Sequence, residues 1–135
     1  MAHILIVDDD PTIRSVMRRL LLDQVHRVTE AGDGREAVKA YQAGRVDLVL
    51  LDMVMPEMDG VETLVALRRM DPRARVLAVS GGGSVDPSIY LDVARALGAT
   101  QTLAKPFEAE DFLRAVESAL KAFPGASPDA PSVAR

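Results

Sequence analysis

Five times along this chain a short apolar run gives way to a longer amphipathic stretch, with no other kind of segment inserted between them. A short apolar run bounded by turn residues reads as a strand buried on both faces, and apolar residues at i, i+3, i+4 read as a helix with one face inward. Alternation of the two is the pattern of βα units that build a parallel sheet with helices on both faces, so the expected fold class is α/β. The strands are expected at Ile4–Val7, His26–Thr29, Leu48–Leu51, Val76–Val79 and Thr102–Ala104, the second carrying the weakest signal. Helical periodicity is clearest after the first strand, where Ile13, Val16, Met17, Leu20 and Leu21 form an inward stripe and Asp10-Pro11 supplies an N-cap and a first-turn proline. The last helix sets Phe112, Leu113, Val116, Leu120 and Phe123 on one face, and it is expected to close the domain.

A chain of 135 residues with 48% hydrophobic content can bury one core of ordinary size but not two. The domain is expected to span residues 1–123. From Pro124 to Ser132 the chain turns to Pro, Ala, Ser, Gly and Asp, with too little apolar surface to offset the entropy of ordering. Residues 124–135 are therefore expected to be a disordered tail, and the chain either a stand-alone domain or a piece cut at a linker near Pro124. A net charge of −4 and a pI near 5.1, with scattered Lys and Arg, argue against direct binding of nucleic acid or of an anionic membrane. No cysteine is present, which excludes disulfides, thiol catalysis and cysteinyl metal sites. The apolar run Ile4–Val7 is too short for a secretion signal and no stretch approaches membrane length, so a cytoplasmic location is expected.

In an open parallel sheet, ligands gather at the carboxyl ends of the strands, beside the point where the strand order reverses. Asp8 and Asp9 end the first expected strand, Asp52 the third, Ser80 the fourth and Lys105 the fifth, so the repeat brings carboxylates, a hydroxyl and an ammonium to one rim. Asp52 is the most telling of them. The wholly apolar run Leu48–Leu51 stops at this carboxylate, and Pro56 and Gly60 follow, which puts an acid at the mouth of a buried strand. Carboxylates ~5 Å apart repel by about 3 kcal/mol per pair at an effective dielectric of roughly 20, so a cation must share the site. With oxygen donors alone on that rim the ligand set is hard, and Mg2+ is its natural occupant. A metal, Lys105 and Ser80 around Asp52 leave an open place for a phosphoryl group, and the chemistry implied is phosphoryl transfer to Asp52.

Taken singly, each of these residues has a plainer reading. Asp8 and Asp9 could be turn residues, although Asp10 already serves as the cap. Ser80 before Gly81-Gly82-Gly83 is ordinary loop composition, and a lone Lys105 would be a solvated surface lysine. Asp59-Gly60 reads as a turn and helix start without chemistry, His3 and His26 fall on the opposite rim, and the methionines between Met53 and Met58 read as packing. The joint pattern outweighs these readings.

On these residues the chain resembles a response-regulator receiver domain of two-component signalling: the acid pair after Ile-Leu-Ile-Val, the segment from Asp52 through Pro56 to Asp59-Gly60, the hydroxyl at Ser80, and Lys105-Pro106-Phe107. The resemblance covers about residues 3 to 122. It implies a doubly wound (βα)5 flavodoxin-like fold with strand order 2-1-3-4-5. It also implies that Asp52 is the phosphoacceptor, that Asp9 is a direct Mg2+ ligand, that Asp8 holds metal-bound water, and that the Val54 carbonyl is a further ligand. Lys105 would bridge to phosphoryl oxygens, Ser80 would hydrogen-bond one of them, and the Lys105-Pro106 bond is often cis in relatives. The implied partners are a histidine kinase or histidine phosphotransfer protein and a downstream protein target, with the domain a monomer or a phosphorylation-dependent dimer.

The chain departs from the family at Thr102, where relatives commonly carry an aromatic residue whose inward swing reports the state of the hydroxyl. The glycine loop after Ser80 and Tyr90 in the next helix are the expected substitutes. Two other functions compete. A phosphorylation-independent pseudo-receiver would keep the fold but usually loses an acid or the lysine, and this chain retains them all. A flavodoxin-like nucleotide or flavin carrier needs a phosphate-cradling loop after the first strand, where Asp8-Asp9-Asp10 would repel a phosphate.

Overall fold

The computed structural model describes residues 1–55, 60–81 and 87–122. Strands and helices alternate strictly: β1 (His3–Val7), α1 (Pro11–Leu22), β2 (Arg27–Ala31), α2 (Gly34–Ala43), β3 (Leu48–Asp52), α3 (Gly60–Met70), β4 (Val76–Ser80), α4 (Pro87–Ala96), β5 (Gln101–Ala104) and α5 (Ala109–Lys121). The strands form one parallel sheet in the order β2-β1-β3-β4-β5, as the resemblance implies. Each expected strand is present with its ends moved by a residue or two. The weakest, β2, lies at Arg27–Ala31 on the sheet edge, where only Ala31 is buried.

Side-chain alternation along the central strands divides the core in two. Leu5, Val7, Val49, Leu51, Val76 and Ala78 face one side and pack with Leu64 and Leu67 of α3 and Ala94 of α4. Ile4, Ile6, Leu48, Leu50, Leu77 and Val79 face the other, against Met17 and Leu21 of α1 and Phe112, Val116 and Ala119 of α5. Burial on both faces explains why these strands read as unbroken apolar runs.

The helix starts follow the capping chemistry. Asp10 accepts from Thr12 N at 2.8 Å with Pro11 at the first helical position, and Asp33 accepts from Glu36 N at 2.9 Å. One expected core residue proves not to be core: Val16 is 49% exposed, while Met17 and Leu21 are buried. A helix advances about 100° per residue, so a stripe centred on Met17 and Leu21 leaves Val16 at its margin, where it lines an open cavity instead. In α5, Phe112 and Val116 are buried as expected and Leu113 and Leu120 partly so; Phe123 and the tail from Pro124 lie outside the described residues.

Two helices end in the same backbone motif with different residues at its critical position. After α4, Gly98 N–H donates to Arg95 O and Ala99 N–H to Ala94 O, and Gly98 sits at φ +91°. After α1, Val25 N–H donates to Leu22 O and His26 N–H to Leu21 O, and Val25 sits at φ 66°. Both are Schellman ends, whose C′ residue must adopt the left-handed conformation that glycine reaches freely and a β-branched residue does not. Val25 is 69% exposed, so packing does not repay its strain. Such strain costs about 1–3 kcal/mol, against roughly 0.5–1 kcal/mol for the extra freedom of glycine in the unfolded chain. Val25→Gly is therefore expected to stabilise the domain by about 1 kcal/mol and to raise Tm by about 3–4 °C in a reversible thermal melt.

Candidate functional site

Register alone carries distant residues to one place. Val7 pairs with Leu51, so Asp8, one residue on, stands beside Asp52 at the end of β3. Asp52 pairs with Val79, Ser80 follows it, and Ser80 pairs with Ala104, after which comes Lys105. The strand order turns between β1 and β3, which is the switch point where such sheets place their ligands. Asp8, Asp9, Asp52, Val54 and Lys105 accordingly line one open cavity of about 620 Å³, with Ile13, Val16, Pro106 and Phe107 as its apolar wall.

One carboxylate oxygen from each of Asp8, Asp9 and Asp52 lies within 4.8 Å of the others. Asp8 is 1% exposed and Asp52 5%, whereas Asp9 faces solvent. Lys105 Nζ donates to Asp8 Oδ2 at 2.9 Å and lies 3.7 Å from Asp52 Oδ2. Backbone amides complete the arrangement: Asp10 N–H donates to Asp8 Oδ1 at 2.9 Å and Val54 N–H to Asp52 Oδ1 at 3.1 Å. The Lys105-Pro106 peptide is cis. Ser80 is fully buried, and its Oγ is the buried side-chain polar atom without a hydrogen-bond partner among the described residues.

These surroundings move charge in opposite directions at the two central groups. Burial lifts the Asp52 carboxyl to about 6; Lys105 and the Val54 amide resist that rise, and the anions of Asp8 and Asp9 add to it. Burial opposes charge on Lys105, but its bond to Asp8 and the nearby Asp52 carboxylate outweigh it and hold the ammonium above its usual range. The site is thus short of positive charge: one lysine serves carboxylates that all face the same cavity.

The predicted rim residues Asp8, Asp9, Asp52, Ser80 and Lys105 all gather as expected, and Val54 lines the same cavity through the turn after β3. Asp59 lies outside the described residues. Gly60 opens α3 as expected, and its reason is one that composition does not reveal: a Cβ there would stand 2.2 Å from Met53 Cα. Gly81 is similarly tight, with a Cβ 2.4 Å from that of Lys105. Thr102 accepts from Arg95 of α4 at 2.9 Å, and Tyr90 is partly buried against the core, while Gly82, Gly83 and Ser84 lie outside the described residues. His3 and His26 lie on the opposite rim in structural roles. His3 bridges Arg45 O and Thr29 Oγ1, and His26 Nδ1 accepts from Ala2 N–H. Sequence reasoning missed Arg14, whose guanidinium donates to the main-chain oxygen of Asp8 at 2.7 Å. Its place in the first turn of a helix otherwise read for its apolar stripe concealed it.

A parallel sheet of this order with an acid cluster, a buried hydroxyl and a lysine at its switch point defines a receiver. The response regulator receiver domain family matches residues 4–117, and the chain belongs to that family. It is 38% identical over 122 residues to the chemotaxis protein CheY of Listeria monocytogenes, covering 90% of this chain and 100% of that one. It is 34% identical over 117 residues to the sporulation initiation phosphotransferase F of Bacillus subtilis, covering 87% and 92%. The receiver domain of NtrX from Brucella abortus superposes with a TM-score of 0.82 at 30% identity, covering 88% of this chain and 98% of that one. This is a signalling domain of two-component systems, and no helix among the described residues is long and apolar enough to cross a membrane.

The raised Asp52 fixes the sign of a pH effect. The folded carboxyl holds its proton to about pH 6 where the unfolded one releases it near 4, so this group removes stability as pH rises through that interval, and the full cost stands above it. Two units correspond to ~2–3 kcal/mol. In chelator-treated protein, Asp52→Asn is expected to exceed the wild type in unfolding free energy by about 2 kcal/mol at pH 7.5 and to match it near pH 4, as measured by denaturant titration.

Proposed function

We propose that this receiver accepts a phosphoryl group on Asp52 from a phosphohistidine donor, in a Mg2+-dependent reaction, and that the modified surface changes its binding to a downstream protein. The observation that carries this reading is the buried, charge-starved carboxylate of Asp52, within reach of Lys105 and of two further acids.

The donor set fits the metal. It consists of oxygen ligands, Asp9 and Asp52 present carboxylates to the cavity, and the Val54 carbonyl can join them, which suits a hard divalent ion that keeps several waters. Bound there, Mg2+ would supply the positive charge the carboxylates lack and favour the ionised form of Asp52. Asp8 already spends its oxygens on Lys105 and on the Asp10 amide, which suits it to an indirect role toward the metal.

In the transfer, an Asp52 oxygen forms the new P–O bond as the P–N bond of the donor's phosphohistidine breaks, and the electron pair leaves on the imidazole nitrogen. Lys105, held charged, is placed to neutralise phosphoryl oxygens. Ser80 Oγ, buried and unpartnered, is a donor ready for one of them. The cavity mouth, walled by Ile13, Val16, Pro106 and Phe107, leaves room for the donor to reach Asp52. A histidine kinase or a histidine phosphotransfer protein is the class that presents such a group. The phosphoryl adds about −1.5 to −2 charge beside Ser80 and Lys105, which biases the loops after β4 and β5.

Incubation of the purified chain with acetyl phosphate and Mg2+ is expected to add one phosphoryl mass, read by intact-protein mass spectrometry. Asp52→Asn or excess chelator abolishes the addition, and Lys105→Met slows it at least tenfold. A wild-type chain left unmodified by acetyl phosphate, phosphoramidate and a phosphorylated histidine kinase alike would overturn the reading.

A further inference from the structure

Asp9 is the carboxylate of the cluster that faces solvent, and no side chain among the described residues bonds to it. What sets its direction is the peptide that joins it to Asp8, whose carbonyl is held directly: Asp8 O accepts from Arg14 Nη1 at 2.7 Å. The peptides before and after it are anchored as well, since Asp8 N–H donates to Ala31 O of β2 at 3.2 Å and Asp10 N–H to Asp8 Oδ1 at 2.9 Å. Arg14 is itself aimed: its Nε donates to Glu30 Oε1 at 3.1 Å, and Arg18 Nη1 occupies Glu30 Oε2 at 3.0 Å. The guanidinium is planar, so fixing one edge against Glu30 sets the direction of the other. Arg14 is 21% exposed and Glu30 29%, so the pair is partly shielded from water.

We infer that Arg14, oriented by Glu30, is a positioning residue for divalent-cation binding: it locks the Asp8-Asp9 peptide plane so that the Asp9 carboxylate is directed into the cluster with Asp52. The inference rests on the metal-dependent reading above. Without the clamp, the Asp8 carbonyl is free to turn, Asp9 samples solvent, and the entropy of ordering it falls on the metal. Residues that orient metal ligands in this way typically cost 10–100-fold in affinity when removed.

Electrostatics alone predicts the opposite. Removing a cation beside three carboxylates, and leaving Glu30 with less positive charge, makes the neighbourhood more negative and should tighten Mg2+ binding. The direction of the change therefore separates positioning from charge.

The test is Mg2+ titration of the full chain, wild type against Arg14→Met and Arg14→Lys, by calorimetry and by the 15N amide resonance of Asp9. Arg14→Met is expected to weaken Mg2+ binding about tenfold. Arg14→Lys keeps the charge, but a point-like ammonium cannot span Glu30 and the Asp8 carbonyl in one plane, so it too is expected to weaken binding several-fold. Both variants should displace the metal-free Asp9 resonance, hold Tm within a few degrees, and regain wild-type phosphorylation rate from acetyl phosphate at saturating Mg2+. Should Arg14→Met fold poorly, Arg14→Lys decides alone. Unchanged or tighter Mg2+ binding in a folded variant refutes the inference while leaving the metal-dependent reading intact. A wild type that takes up no Mg2+ overturns that reading and this inference with it.

Discussion

The dehydrated carboxylate of Asp52 is the constraint around which the rest of this molecule is arranged. Water would hold this anion cheaply, but β3 delivers it into a pocket where it is 5% exposed. Beside it stand Asp8, which is buried, and Asp9, which is near enough for their oxygens to fall within 4.8 Å. Against these acids the described residues supply one lysine and two backbone amides. The imbalance is what gives the site its chemistry. A carboxyl held near 6 changes protonation within the physiological range, and whatever cation enters the cavity moves it. A fully compensated cluster would be more stable and would have less to offer an incoming cation or the phosphoryl group proposed for this site.

Much of this was legible in the sequence, because what mattered was periodic. Apolar runs such as Leu48–Leu51 mark strands buried on both faces, and the polar residues that end them fall together once the runs are laid parallel. Capping residues such as Asp10 announced the helices. What escaped reading was contact that no period encodes. Arg14 looks like an outward charge on an amphipathic helix, and only the bend of the chain after β1 puts the Asp8 carbonyl within its reach. Gly60 looks like a turn residue, although its requirement comes from the backbone of Met53 pressed against it. Val16 obeys the helical spacing and is nonetheless half exposed, since the stripe is wider than the surface it covers. Val25 carries a left-handed backbone that its side chain would never advertise.

Thr102 shows how a departure in sequence becomes a difference in contact. An aromatic ring at this point of β5 would bury or expose a large apolar area as it turned, so its position could follow the state of Ser80 with a substantial energy difference. Threonine has too little area for that. In its place there is a directed bond, Arg95 Nη2 to Thr102 Oγ1 at 2.9 Å, with the same guanidinium paired to Asp92 on α4. The contact between β5 and α4 is therefore polar and geometric here, where an aromatic residue would make it apolar and volumetric.

The two rims of the sheet complete the logic. At the rim away from Asp52 the polar groups found are matched: Arg68 donates to the carbonyls of Pro72, Ala74 and Gly98, Tyr41 donates to Asp71, and His3 ties Arg45 to Thr29. Arg68 thereby fastens the end of α3 to the turns before β4 and β5, so the bases of those strands are anchored through one side chain. At the Asp52 rim Ser80 is unpartnered, and the acids outnumber the cation. Because the strands that carry the site are buried on both faces, their ends can keep an unfavourable charge arrangement without the fold opening to relieve it. Local free energy withheld from the site is tolerable only where the remaining structure over-determines the positions of Asp8, Asp52 and Lys105, and here the register of the central strands and the burial of both sheet faces supply that determination.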